Sequence, residues 1–155
     1  MTNSEKIAFK DKLKNLGLDL LRQRIGTAQE AMDQAQEAAN SEEKSSAGDK
    51  YETGRAMGQL RKEMYSRQLA EYSKEVKALQ SVFTGSVCDQ AGAGAFIRAA
   101  GMAFFVSAGL GKQEVEGLVI LFVSPLAPLA RSLEKKKPED SFLFNGVNLV
   151  IEEIF

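Results

Sequence analysis

Three observations point to an α+β chain: an antiparallel coiled-coil hairpin followed by a small domain built on an antiparallel sheet. Apolar and small residues recur at Leu21, Ile25, Ala28, Met32, Ala35 and Ala39 in alternating steps of four and three, the seam of a helix packed on another helix. Tyr65, Leu69, Tyr72, Val76, Leu79 and Phe83 repeat that spacing. Between the two seams lies Ser45-Ser46-Ala47-Gly48, short enough to fold one helix back along its neighbour. After Gly85 β-branched and aromatic residues rise, glycine multiplies and charge falls, the composition of strands joined by tight turns.

From the N-terminus, Phe9, Leu13, Leu16 and Leu20 continue a helical pattern, and Gly17 with Asp19 implies a bend or short break near Gly17. The first hairpin helix then runs to about Lys44. The second starts between residues 46 and 49, where Ser46-x-x-Asp49 and Asp49-x-x-Glu52 both read as capping boxes. Thr84-Gly85 ends it. The seam uses Leu, Ile, Val and Phe far from the connection and thins towards it to Ala28, Ala35, Ala39, Gly54 and Gly58. The distal end should therefore be narrow. At 1.5 Å rise per residue, arms of about 30 residues make the hairpin roughly 45 Å long.

In the second half, residues 95–99 and 102–108 are apolar runs bounded by the glycine-rich stretches 91–95 and 109–111. Residues 118–123 read as a buried strand, and residues 126–135 as a short helix entered through Pro125 and Pro128. Asn145-Gly146 suits the positive φ angles of a type I′ turn. Counting outward pairs Phe144 with Val147 and Phe142 with Leu149, and all four are expected on one buried face. The division read from the sequence is a hairpin over residues 1–84, with its acidic tip near residues 42–52, and a sheet domain over residues 85–155.

Charge and composition exclude several chemistries. Lys and Arg total 20 against 21 Asp and Glu, so no global field favours nucleic acid or membrane. Local charge is uneven: Glu30, Asp33, Glu37, Glu42, Glu43, Asp49 and Glu52 stand against Lys44 and Lys50 on both sides of the connection, and beyond them Arg55, Arg61, Lys62, Arg67, Lys74 and Lys77 stand against Glu63, Glu71 and Glu75. Histidine is absent, which removes imidazole acid–base chemistry, Ser-His and Cys-His triads and His-based zinc sites. A lone cysteine, Cys88, excludes an intramolecular disulfide and reads as a small buried apolar residue in a reducing compartment. The polar start and the lack of any run near 18 apolar residues lead to the expectation of a soluble cytoplasmic monomer. The isolated Gly-x-Gly pairs open no βαβ unit and read as turns.

Two stretches together resemble the Gre family of bacterial transcript-cleavage factors, which join a coiled-coil finger to a small FKBP-like domain. The family's tip motif is Gly-Asp-Leu-Ser-Glu-Asn, and Gly48-Asp49-Lys50-Tyr51-Glu52-Thr53 keeps the glycine and both acids at the same spacing. The family's C-terminal run Ser-Pro-Leu-Gly-x-Ala-Leu-x-Gly-Lys-Lys-x-Gly-Asp is followed in order by residues 127–140, with Ala130, Lys135 and Glu139 where the family has glycine.

The resemblance implies that the finger enters the secondary channel of RNA polymerase and stimulates the polymerase's own cleavage of backtracked nascent RNA. The protein would then not itself be an enzyme. Asp49 and Glu52 would act as the catalytic acids, ligating a Mg²⁺ shared with the polymerase, with Glu42 and Glu43 adding negative potential. Mg²⁺ takes hard oxygen ligands, which is why carboxylates suit the task. Read without the family, Asp49 and Glu52 are a capping box, favourable near the positive end of the helix dipole. A shifted registration, superposing Tyr51 on the tyrosine after the family motif, puts Lys44 and Ala47 where its acids belong. That version describes a Gre-like regulator that occupies the channel without promoting cleavage. A third reading is an FKBP-fold chaperone or prolyl isomerase, against which stands the absence of tryptophan. Lys135-Lys136-Lys137 reads as a solvated loop or a basic patch meeting the polymerase rim.

Overall fold

The computed structural model describes the backbone of residues 1–45 and 49–155 and the side chains of residues 1–41 and 53–155. Helix α1 is Asn3–Ser45 and α2 is Asp49–Ser81; strands β1 (Phe96–Ala99), β2 (Met102–Val106), β3 (Gly111–Val115) and β4 (Leu118–Val123), helix α3 (Pro128–Leu133) and strands β5 (Ser141–Phe144) and β6 (Val147–Ile154) follow. The chain is α+β: two long helices packed together, then a six-stranded sheet. It divides into two compact units, Asp19–Val76 and Met1–Leu18 together with Lys77–Phe155.

Helix α1 starts on a reciprocal cap that the sequence carries as Thr2-x-x-Glu5. The Glu5 N–H donates to Thr2 Oγ1 at 3.2 Å, and the Thr2 N–H donates to Glu5 Oε2 at 2.7 Å. The break expected near Gly17 is absent, and α1 is helical throughout. Gly17 serves packing instead, because a Cβ there would lie 2.8 Å from Leu79 Cδ2 and 3.1 Å from Leu110 Cδ1.

In the sheet the strand order is β3-β4-β2-β1-β6-β5, antiparallel apart from the parallel β2–β4 pair. Central β2 is buried on both faces, with Ala103, Phe104, Phe105 and Val106 each almost inaccessible. On one face Ile97, Phe104, Val106, Phe142 and Ile151 form a core with Ala130 and Leu133 of α3. On the other, Phe96 meets Phe9 of α1 edge-on at 5.3 Å, and Phe105 meets Phe122 at 5.5 Å. The first turns of α1 and the end of α2 thus belong to the sheet unit, whereas the sequence reading placed the boundary at residues 84 and 85.

Three hairpins close on two-residue turns with positive φ at both positions: Ala100-Gly101, Glu116-Gly117 and Asn145-Gly146, the type I′ geometry that matches strand twist. The β5–β6 register is the one counted from the sequence, Phe144 opposite Val147 and Phe142 opposite Leu149. The expected shared face is only partly buried. Phe142 is 2% exposed, Phe144 and Leu149 pack against the core while half-buried, and Val147 is 57% exposed. Val147 lies next to the turn, beyond the cover that the core supplies.

Candidate functional site

The unit Asp19–Val76 is the antiparallel pairing of α1 with α2. Leu21, Ala28 and Ala35 are buried at seven-residue steps, and Met32 and Ala39 are half-buried between and beyond them. On α2 the half-buried residues within this unit are Gly54, Gly58, Tyr65, Leu69, Tyr72, Glu75 and Val76. Two contacts fix the register: a Cβ on Gly58 would lie 3.1 Å from Ala39 Cβ, and the Ser66 hydroxyl donates to Met32 Sδ at 3.6 Å. Position falls on α1 as it rises on α2, so the helices run antiparallel. Alanine against glycine permits this close approach, as the thinning of the seam implies.

The segments of α1 and α2 within this unit are each roughly 40 Å long at 1.5 Å per residue. Acids Glu30, Asp33 and Glu37 of α1 are exposed, as are Arg55, Arg61, Lys62 and Arg67 of α2. One groove of about 210 Å³ is floored by Ala35, Ala39 and Gly58 and walled by Gln36, Asn40, Gln59, Arg55 and Lys62. Inside it the Gln36 amide donates to Asn40 Oδ1 at 3.1 Å. Arg55, Gly58, Gln59 and Lys62 share one helix face by their spacing, a pattern of small and cationic residues legible in the sequence but not singled out there.

Of the sequence-derived site residues, Asp49 and Glu52 occupy the first turn of α2, and Glu42 and Glu43 the final turns of α1. The side chains of all four lie outside the described residues. By chain position they fall at the ends of α1 and α2 that the connection joins. Ser46, Ala47 and Gly48, and with them the choice of N-cap, lie outside the described residues, as do the side chains of Lys44 and Tyr51.

The lysine loop is more structured than a solvated run. Lys136 Nζ donates to the Ser141 carbonyl, and the Lys137 N–H donates to Asp140 Oδ2 at 2.8 Å. Lys135 has φ of 65° and Glu139 φ of 79°, the left-handed region that glycine adopts without cost.

The sequence reading missed Lys10, a fully buried lysine whose Nζ donates to the carbonyls of Ser86 at 2.8 Å and Gly94 at 2.9 Å and lies 3.7 Å from Cys88 Sγ. Burial pushes its pKa below the ordinary lysine value, while Cys88 and Asp11 pull the other way. The missed signal is spacing: Lys10, Leu13, Gly17 and Leu21 run at steps of three and four along the buried stripe of α1. Cys88, expected as a buried apolar residue, is half-buried beside that ammonium.

Among the described residues no helix is long and apolar enough to cross a membrane. A scan against models of protein families finds no match, and searches among curated proteins and among solved structures find none either.

Proposed function

We propose that the chain is a Gre-like elongation factor, binding RNA polymerase by inserting its helical hairpin into the secondary channel and stimulating cleavage of backtracked RNA. What supports the reading most is the backbone of the C-terminal run. Two of the three positions where the Gre-family run has glycine, Lys135 and Glu139, are among the five non-glycine residues with positive φ in the described chain. The third, Ala130, is buried on the inner face of α3. At both Lys135 and Glu139 the chain keeps the backbone geometry that glycine adopts without cost. The hairpin adds a second support. Its seam narrows by alanine and glycine towards an end that carries Asp49, Glu52, Glu42 and Glu43.

On this reading the tip carboxylates act only inside the polymerase. Asp49 and Glu52 are hard oxygen donors suited to a Mg²⁺ of the polymerase active centre, which when bound supplies a polarised phosphate and an activated water. The chain's part is to hold the ion and orient water with two acids presented from the start of one helix. Glu42 and Glu43 raise the local negative potential that favours the cation.

The test is cleavage of RNA in purified backtracked elongation complexes. The unmutated protein should accelerate cleavage, and Asp49→Ala or Glu52→Ala should abolish the acceleration while leaving polymerase affinity within about two-fold. Cleavage retained by both variants overturns the metal-ligand role. A pure capping role would instead show as a stability loss of about 0.5–2 kcal/mol with no specific catalytic effect. Polymerase binding with suppressed cleavage would place Lys44 and Ala47 at the acidic positions and make the protein an inhibitory channel regulator.

A further inference from the structure

One flank of the helix pair differs in kind from the rest of its surface. The groove of about 210 Å³ is walled by Gln36 and Asn40 of α1 and by Arg55, Gln59 and Lys62 of α2. Among the described residues that line it there is no carboxylate, although Glu37 and Glu63 stand exposed next to Gln36 and Lys62 in the chain. Its floor of Ala35, Ala39 and Gly58 carries no long side chain, so the space between the two walls stays open.

The donors in this groove are available. Among the described residues neither Arg55 nor Lys62 is engaged in an ion pair or a hydrogen bond. Gln36 Nε2 donates to Asn40 Oδ1 at 3.1 Å, which uses the amide oxygen of Asn40 and leaves its two N–H groups for another acceptor. Arg55, Gln59 and Lys62 follow one another at steps of four and three, one stripe of α2. Two cations without a counter-charge favour an anion. They stand roughly 10 Å apart along the helix axis, farther than one phosphoryl group spans and suited to two joined ones. Phosphoryl oxygens only accept hydrogen bonds, and they match both the guanidinium fork and the ammonium point charge.

From this groove we infer a binding site for small molecules that carry a diphosphate group, one phosphoryl on Arg55 and the other on Lys62, with Asn40 and Gln59 donating between them. The site is independent of the polymerase reading, because every residue involved belongs to the helix pair and the free chain suffices to test it.

The probe is inorganic pyrophosphate, titrated into the full chain at constant ionic strength and followed by backbone and side-chain amide chemical shifts. Saturable shifts should concentrate at Gln36, Asn40, Arg55, Gln59 and Lys62, with inorganic phosphate binding more weakly. Arg55→Gln and Lys62→Gln, changes at exposed positions, should each weaken pyrophosphate about ten-fold, the worth of one charge-assisted hydrogen bond. Arg67→Gln removes the same charge from an exposed position of α2 outside the groove and should leave the affinity within about two-fold. Equal weakening by all three variants would mean diffuse attraction to a basic helix and overturns the site. So do shifts that do not saturate, equal affinity for phosphate and pyrophosphate, or tighter binding of an RNA oligonucleotide that carries only phosphodiesters.

Discussion

Lys10 shows how one buried charge is accommodated. Three acceptors, two carbonyls and a sulfur, meet the three N–H groups of its ammonium, tying α1 to the segment that follows α2. Lys10→Met would strip the buried Gly94 carbonyl and the part-buried Ser86 carbonyl of a donor, at a cost of about 1–3 kcal/mol, read by urea denaturation. The pH dependence has a definite sign. With the folded pKa below the ordinary value of 10.5, the unfolded chain binds more protons between those two values, so stability rises with pH across that window. The wild-type protein should therefore gain on Lys10→Met as pH climbs towards 10.5. Equal slopes for both proteins would contradict the buried-lysine account.

Glycine at this scale divides by surroundings. Gly17 faces fully buried Leu79, so Gly17→Ala sets overpacking of about 1–3 kcal/mol against a helix-propensity gain of about 1 kcal/mol. The expected net is a loss of up to about 2 kcal/mol. At Gly26 nothing lies within 4 Å of an added Cβ, and Gly26→Ala should gain about 0.5–1 kcal/mol. Thermal unfolding of the pair checks both signs. The sequence holds both glycines in helical patterns but not their neighbours, which is why Gly17 read as a break.

Elements were legible where local chemistry alone dictates them. Asn145-Gly146 specified its turn and with it the β5–β6 register, and Pro125 and Pro128 marked the entry to α3, whose first residue is Pro128. Strand β3, Gly111–Val115, carries Lys112, Gln113 and Glu114 on an edge of the sheet, so it shows no apolar alternation and was not readable. The parallel β2–β4 pairing rests on contacts between distant segments and has no local signature. Val147 was assigned to a buried face by alternation, which fixes the side of a strand but not how far the core reaches along it.

The loop after α3 carries strain at this scale. Lys135 follows the helix at φ 65° and Glu139 sits at φ 79°, where an L side chain costs about 1–2 kcal/mol. Lys135→Gly and Glu139→Gly should each raise stability, by up to about 1 kcal/mol once glycine's greater unfolded-state freedom is subtracted. Chemical denaturation of the two variants tests it. Destabilisation by both would mean that the side chains supply more than the backbone saves.

For the whole molecule the sequence reads as two parts in series, whereas each long helix is divided between the two compact units. Met1–Leu18 joins Lys77–Phe155 because Phe9 packs on Phe96, Lys10 bonds Gly94, and Gly17 admits Leu110 and Leu79. A continuous helical pattern cannot report that its first turns serve a sheet. The spacing of Asp49 and Glu52 is visible in the sequence alone, whereas Lys10 draws its meaning from neighbours far away in the chain.

The central claim, that the tip of the hairpin reaches the polymerase active centre, is tested most directly by replacing the catalytic Mg²⁺ with Fe²⁺ and generating hydroxyl radicals. These cut protein backbone close to the ion. Cleavage of this chain confined to the connected ends of α1 and α2, around residues 42–53, is the result the account predicts. Polymerase-bound protein left uncut there, or cut only within the sheet unit, would contradict it.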